Sequence, residues 1–408
     1  MKSGTGKICI VTQSHLCRNP RVLKEAMALA ATDHRVTIFT AIYNDELYKE
    51  DISLLSGSGI GYEIYSDLRK RNLQTLKTRA IKKFWLIMQT LGIESRHSLG
   101  YNANELKRRI LSHQADLYIM HQELATVTGS TMLNDYKVAF DIEDWYSKDL
   151  LPQARKTRPI KLLIKSEKIA IEKGAVCYTT SHAMAKNLKA FYKTTSEPAV
   201  IYNSFDPVSD IDSAPPKHDF LHLYWLSQTI GEGRGLEFFI SCMAKSATRC
   251  RLSLRGNISA EYKKHLSMLL SSKDTIEFLP MLKNSDIQTE MTRYDIGLAL
   301  EPDTPPNKNL TISNKLFQYM AAGLPVIASY TLGQAEIANQ CPELIFTYKQ
   351  NHSEELAKIL NQLGTKLQAD ELHGLKTRML NFFEANFSWR IEATKLVTLI
   401  NNIFETAH

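Results

Sequence analysis

The chain has 408 residues, of which 44% are hydrophobic and 23% charged, and it carries a net charge of +7. One core seldom grows past about 250–300 residues, so two domains are expected, and the composition excludes the disordered, collagen-like and disulfide-stapled classes. A basic balance suits anionic partners (nucleotide phosphates, acidic headgroups or nucleic acid) without choosing among them.

The first six residues are polar, and the apolar run 8–11 is shorter than the roughly 7–15 residues of a signal-peptide core. No stretch reaches the ~20 apolar residues of a membrane span. The expected location is therefore cytoplasmic, or peripheral on the inner face of the cytoplasmic membrane. Short β-rich runs then alternate with helical segments. Strands are expected at 7–12, 35–41, 62–66, 116–121, 138–144, 175–181 and 199–203. Most are continuous apolar runs, as strands buried on both faces are. The clearest helix starts at Pro20, with Val22, Leu23, Ala26, Leu29 and Ala30 on one face. From Arg69 to Lys83 seven basic residues and no acid occur, followed by Phe84-Trp-Leu-Ile-Met88. Residues 69–88 thus read either as a stretch for an anionic membrane surface or as a solvated helix whose apolar end packs on its domain.

Residues 205–219, rich in proline and aspartate, read as a linker. The rhythm restarts with strands at 222–227, 252–255, 275–279, 295–300, 325–329 and 344–347, and a closing helix over 389–404. The expected fold is α/β: two Rossmann-like, doubly wound parallel-sheet domains at 1–204 (with a returning helix, 388–406) and 220–387, facing a cleft. Ligands of such sheets bind outside the carboxyl ends of the strands. The six scattered cysteines, Cys9, Cys17, Cys177, Cys242, Cys250 and Cys341, include no C-x-x-C pair, so no zinc or redox site is expected.

Residues 313–329, SNKLFQYMAAGLPVIAS, form the strongest local signal. Ser313 is placed to cap a short helix whose N-terminus, with Asn314 and Lys315, is an anion site; Gly323 and Pro325 end it. Before it, WLSQTIGEGRGLE (225–237) sets Gly231, Gly233 and Gly235 around Arg234, a loop able to turn N–H groups and a guanidinium toward a diphosphate. Gly256 ends the strand at 252; Arg255 is read as facing a bound base or, by preference, solvent. Glu301 ends another strand and is read as holding a sugar hydroxyl, orienting Lys315, or being a plain strand-end charge. In the first half, Arg18 and Arg21 flank a helix start expected at the cleft rim, His121 ends a strand and is read as cleft-facing or as a core histidine, and Asp141, Glu143 and Asp144 end the next.

The 313–329 block is similar to the nucleotide-sugar signature of GT-B glycosyltransferases, especially the retaining family four (glycosyl transferases group 1), through Lys315, Tyr319, Met320, Ala321, Gly323 and 325–329. The resemblance spans nearly the whole chain. It implies a glycosyltransferase that uses a nucleotide-sugar, with UDP favoured, and a glycan or lipid-linked glycan acceptor, in cell-surface polysaccharide or glycoconjugate synthesis. Arg234 and Lys315 would meet the pyrophosphate. Gly231, Gly233, Gly256, Glu301, Asn314 and Gln318 would line the donor. His121 would lie near the transferred sugar, with Arg18, Arg21 and Asp144 on the acceptor side. No cofactor or metal is implied. Two departures stand out: the family's ribose-binding glutamate falls at Gln318, and an earlier one at Leu310. The alternatives are a sugar-nucleotide 2-epimerase and a non-catalytic nucleotide-sugar-binding scaffold. A nucleic-acid partner is not expected, because the basic stretch has no stacking ladder of aromatics.

Overall fold

The computed structural model describes residues 5–70, 72–208 and 218–405. Residues 209–217 of the expected linker, and Arg71 of the basic stretch, lie outside them. The chain divides into two compact units, Met1–Tyr202 with Glu392–His408, and Asn203–Ile391.

The first unit runs β1 (Lys7–Val11), α1 (Pro20–Ala30), β2 (Arg35–Ile42), α2 (Asp45–Leu55), β3 (Gly61–Asp67), α3 (Leu73–Thr90), α4 (Ala103–Ser112), β4 (Leu117–His121), α5 (Gln122–Gly129), β5 (Val138–Ile142), α6 (Pro152–Arg155), α7 (Ile160–Lys173), β6 (Val176–Thr179), α8 (His182–Tyr192) and β7 (Ala199–Val200). Its strands pair in parallel in the order β3-β2-β1-β4-β5-β6-β7. Adjacent residues Ile8 and Cys9, Leu117 and Tyr118, and Val138 and Ala139 are fully buried. That burial on both faces is why these strands are uninterrupted apolar runs. Helix starts are set locally. Asn19 accepts from Val22 N–H ahead of Pro20, and Asn72 accepts from Thr75 N–H at the head of α3.

The second unit runs β8 (Leu221–Ile230), α9 (Leu236–Lys245), β9 (Cys250–Ile258), α10 (Ala260–Met268), β10 (Thr275–Leu279), α11 (Asn284–Met291), β11 (Ile296–Ala299), α12 (Pro306–Leu310), α13 (Asn314–Ala321), β12 (Val326–Ser329), α14 (Leu332–Ala338), β13 (Ile345–Tyr348), α15 (Ser353–Gln368) and α16 (Leu372–Asn386); α17 (Trp389–Glu405) begins in it and continues into the first unit. The strand order is β10-β9-β8-β11-β12-β13, again parallel. Both sheets are therefore doubly wound Rossmann-like sheets. The strand order reverses between β1 and β4 in the first sheet and between β8 and β11 in the second. These are the switch points at which such sheets take ligands.

Two strands outrun their expected ends. β8 and β9 continue past residues 227 and 256 because Thr229–Ile230 pair with Asn257–Ile258 after a register shift. The ladder is a backbone property, so polar side chains do not stop it. β7 is shorter than expected, only Ala199–Val200.

Candidate donor site

The site in the second unit is assembled at the β8/β11 switch point. After β8 the chain turns through Gly231–Gly235, with Gly233 and Gly235 in left-handed backbone at φ 72° and 75°, which glycine adopts without a Cβ penalty. Gly235 caps α9. A Cβ on it would lie 3.4 Å from the Leu300 Cβ, so this loop packs directly beside the end of β11. Arg234, in the middle of that turn, is half-buried and makes no hydrogen bond or ion pair with the described residues.

Glu301 follows β11. Its backbone is tied at both ends: its N–H donates to Ser329 Oγ at 2.8 Å, and its carbonyl accepts from Ser329 Oγ at 2.6 Å and from Gln350 Nε2 at 3.0 Å. Its carboxylate takes the Lys315 ammonium and the Ser313 hydroxyl, the latter at 2.8 Å. Burial by itself would raise the Glu301 pKa, but Lys315 and the Ser313 hydroxyl outweigh it and hold the group below its usual range. Of the three readings of Glu301, this geometry matches the one in which it orients Lys315. Ser313 precedes α13, but its hydroxyl goes to Glu301 and makes no cap bond, so the expectation of a side-chain N-cap is corrected. Within the α13 first turn the Leu316 N–H donates to the Ser313 carbonyl at 2.9 Å, and no side chain caps the helix start, where Asn314 and Lys315 stand. The Lys315 ammonium also sits 5.8 Å from the centre of the buried Trp225 ring.

Asn314 is exposed at the start of α13, its side chain accepting from Asn203 Nδ2 at 3.0 Å. Gln318 lies one turn on and is half-buried. Leu310, where the resembled family has a glutamate, is 3% exposed and belongs to the core. Gly256 sits inside β9 with φ 150°, and a Cβ there would meet the Ser227 carbonyl oxygen at 2.2 Å. It permits the close approach of β8 and β9. Arg255 is a second correction. It points inward, donating to Tyr224 Oη at 2.8 Å, the Pro280 carbonyl at 2.6 Å and Glu290 at 2.9 Å. Residues far along the chain engage all three guanidinium nitrogens, which strand alternation does not reveal.

In the first unit the carboxyl edge carries a buried ion cluster. Arg21, expected at a rim, is fully buried: Nε lies 2.5 Å from Asp141 and 3.2 Å from Glu25, and Nη1 donates to the Ile201 carbonyl. His121 is also fully buried, with Nε2 3.2 Å from Glu25 and Nδ1 3.1 Å from Asp141. Its ring is therefore a core element and does not face outward. Burial would lower its pKa, but Glu25 and Asp141 outweigh that and push it up to about 10. Glu25, His121 and Asp141 lie close enough for a metal ion, with ligand atoms within 4.8 Å of one another. The Arg21 guanidinium already rests against both carboxylates, so the cluster supplies its own counter-charge. Glu143 is half-buried beside it, its pKa pushed up to about 8 by burial and then by Asp141. Arg18 is exposed and Asp144 half-buried. Sequence reasoning did not reach Gln122, in left-handed backbone at φ 68°, whose Oε1 accepts from Thr12 Oγ1 and Gln13 N–H and so ties the end of β4 to the end of β1. It also missed the roles of Ser329 and Gln350 under Glu301. Only Ser329 had a signal, as the last residue of the 313–329 block.

Comparison with known proteins agrees with this architecture. Residues 222–366 match the family model described as glycosyl transferases group 1. A search of curated sequences gave no match. Among solved structures, sucrose-phosphate synthase from Thermosynechococcus elongatus is similar at a TM-score of 0.70 and 14% identity, over 98% of this chain and 99% of that one. Anabaena HepE, in complex with UDP and glucose, gives 0.67 and 15%, over 97% and 100%. A glycosyltransferase from Rickettsia africae gives 0.67 and 16%, over 98% and 99%. The chain thus has a GT-B-like fold of two doubly wound domains, and residues 222–366 of its second half match the glycosyl transferases group 1 domain.

Proposed function

We propose that the chain transfers a sugar from a UDP-sugar to a glycan or lipid-linked glycan acceptor, with retention. The observation that carries this reading is the β8/β11 switch point, which carries Lys315, aimed by Glu301, Arg234, which has no hydrogen bond or ion pair among the described residues, and the start of α13, which no side chain caps. A leaving diphosphate needs that set: two cations and oriented N–H groups in a partly dehydrated place. The UDP in the HepE structure supports the choice of base. Gln318 can hydrogen-bond a ribose diol without a charge. On this reading Arg234, Lys315 and the helix terminus carry the charge stabilisation. His121 contributes through its main chain, since its ring is enclosed, and Arg18 and Asp144 serve the acceptor side.

The test is product analysis with a panel of UDP-sugars and candidate acceptors, with and without a chelator. The expected result is a transferred sugar in both conditions, with turnover lost in Arg234→Ala. An epimerised donor with no acceptor requirement, or nucleotide binding without any turnover, would overturn the proposal in favour of a 2-epimerase or a scaffold.

A further inference from the structure

Helix α3 is docked inside out. The residues it buries are Thr75, Thr78 and Gln89, with the Thr78 hydroxyl donating to Asn102 Oδ1 at 2.9 Å. On its opposite side Leu73, Leu76, Phe84, Ile87 and the following Leu91 are 87%, 60%, 53%, 54% and 71% exposed. At 100° per residue these five, spaced 3, 8, 3 and 4 apart, fall within a stripe about 80° wide. A helix that merely covers its domain turns such a stripe inward. Trp85 does turn inward, stacking on His97 at 5.9 Å, while its neighbour Phe84 points out. The sequence left open whether the apolar end of this stretch packs on the domain, and the structure divides it: Phe84 and Ile87 are exposed, while Trp85, Leu86 and Met88 are half-buried.

The charges around the stripe are of one sign. α3 contains four basic residues and no acid, and Lys77 and Lys83, which flank the stripe, are exposed. A second basic segment is brought alongside by the fold. Glu94, just beyond α3, accepts from Lys161 N–H at 3.0 Å and Leu162 N–H at 2.7 Å, which fixes the start of α7 there. Lys156 and Lys161 are exposed in that segment, and Leu151 before it is 54% exposed.

We infer that α3 lies in the plane of an anionic lipid bilayer, with its apolar stripe in the acyl boundary and its lysines against acidic headgroups. No described helix is long and apolar enough to cross a membrane, and an in-plane helix needs only a stripe and a basic flank. A second copy of the chain fits worse, because a two-fold contact would set the same lysines against one another. An anionic surface neutralises them, and each contributes roughly a fivefold gain in partitioning. The inference stands apart from the proposed donor chemistry, which belongs to the other unit.

The test uses the full-length chain and co-sedimentation with vesicles of phosphatidylglycerol and phosphatidylcholine, or of phosphatidylcholine alone. Binding is expected only with phosphatidylglycerol, weakening as salt rises. Phe84→Asp with Ile87→Asp should cut partitioning at least tenfold, and Lys77→Glu with Lys83→Glu by a similar factor. Unchanged melting temperature and UDP response in these variants show that fold and donor site are intact. Equal binding to both vesicle types, or no loss in the aspartate variant, would overturn the inference. So would a dimer of the native chain that Phe84→Asp with Ile87→Asp dissolves, without vesicle binding, because α3 would then be a self-association face.

Discussion

Arg234 and Lys315 are both cations at one sheet edge, yet they are held differently. Lys315 is half of an ion pair with Glu301, whereas Arg234 has no partner among the described residues. Their removal should therefore differ in stability and agree in catalysis. Arg234→Ala should leave the unfolding free energy within about 0.5 kcal/mol. Lys315→Ala should cost more, because Glu301 is then buried without its counter-charge. Each should lower kcat by about 100–1000-fold, the usual cost of losing one oriented charge at a leaving group. Urea unfolding and steady-state kinetics on both variants check this. Gln318→Glu should keep or tighten UDP binding, read by calorimetry, since a carboxylate accepts both ribose hydroxyls. A large loss of affinity would place Gln318 away from the ribose.

At the level of elements, the cluster of Arg21, Glu25, His121 and Asp141 joins α1, β4 and β5 through charges shut from water. Breaking one side of such a cluster is costly, so Asp141→Asn should destabilise the chain by about 3–5 kcal/mol in urea unfolding. The pH dependence has a definite sign. His121 has a folded pKa of about 10 against about 6.5 unfolded. Its contribution is fully present below about 6.5 and is lost as pH rises through about 10. His121→Gln should therefore be less stable than the native chain at neutral pH and converge with it above pH 10. Gly256→Ala should cost about 1–3 kcal/mol, because the added carbon meets a backbone oxygen, which cannot rotate away.

Across the molecule, what was legible in the sequence follows from how local each cause is. Buried parallel strands appear as apolar runs, and caps such as Asn19-Pro20 mark helix starts, so the alternating order and the two sheets could be read directly. The 313–329 block carries its own chemistry within one turn and one helix, and Lys315 with Glu301 came from it and its neighbour strand. The corrected residues have distant causes. Arg21 meets Asp141 across 120 positions, and Arg255 meets Glu290 across 35. No local pattern distinguishes such an arginine from a surface one. For α3, the sequence showed a basic run followed by an apolar end but not which way those apolar residues point. The Ser313 hydroxyl had two acceptable roles, and the buried Glu301 carboxylate beside it decided between them.

The proposed donor site is the β8/β11 edge of the second unit, with uridine diphosphate held by Arg234 and Lys315. The most direct measurement is a thermal-shift panel of UDP, GDP, CMP, ADP and dTDP on the native chain and on Arg234→Ala. A ligand at about 100 times its dissociation constant adds about 2.7 kcal/mol to the folded state, well within reach of a melting curve. A selective rise with UDP is expected in the native chain and a much smaller one in the variant. No rise with any nucleotide, or an equal rise in both proteins, would contradict it.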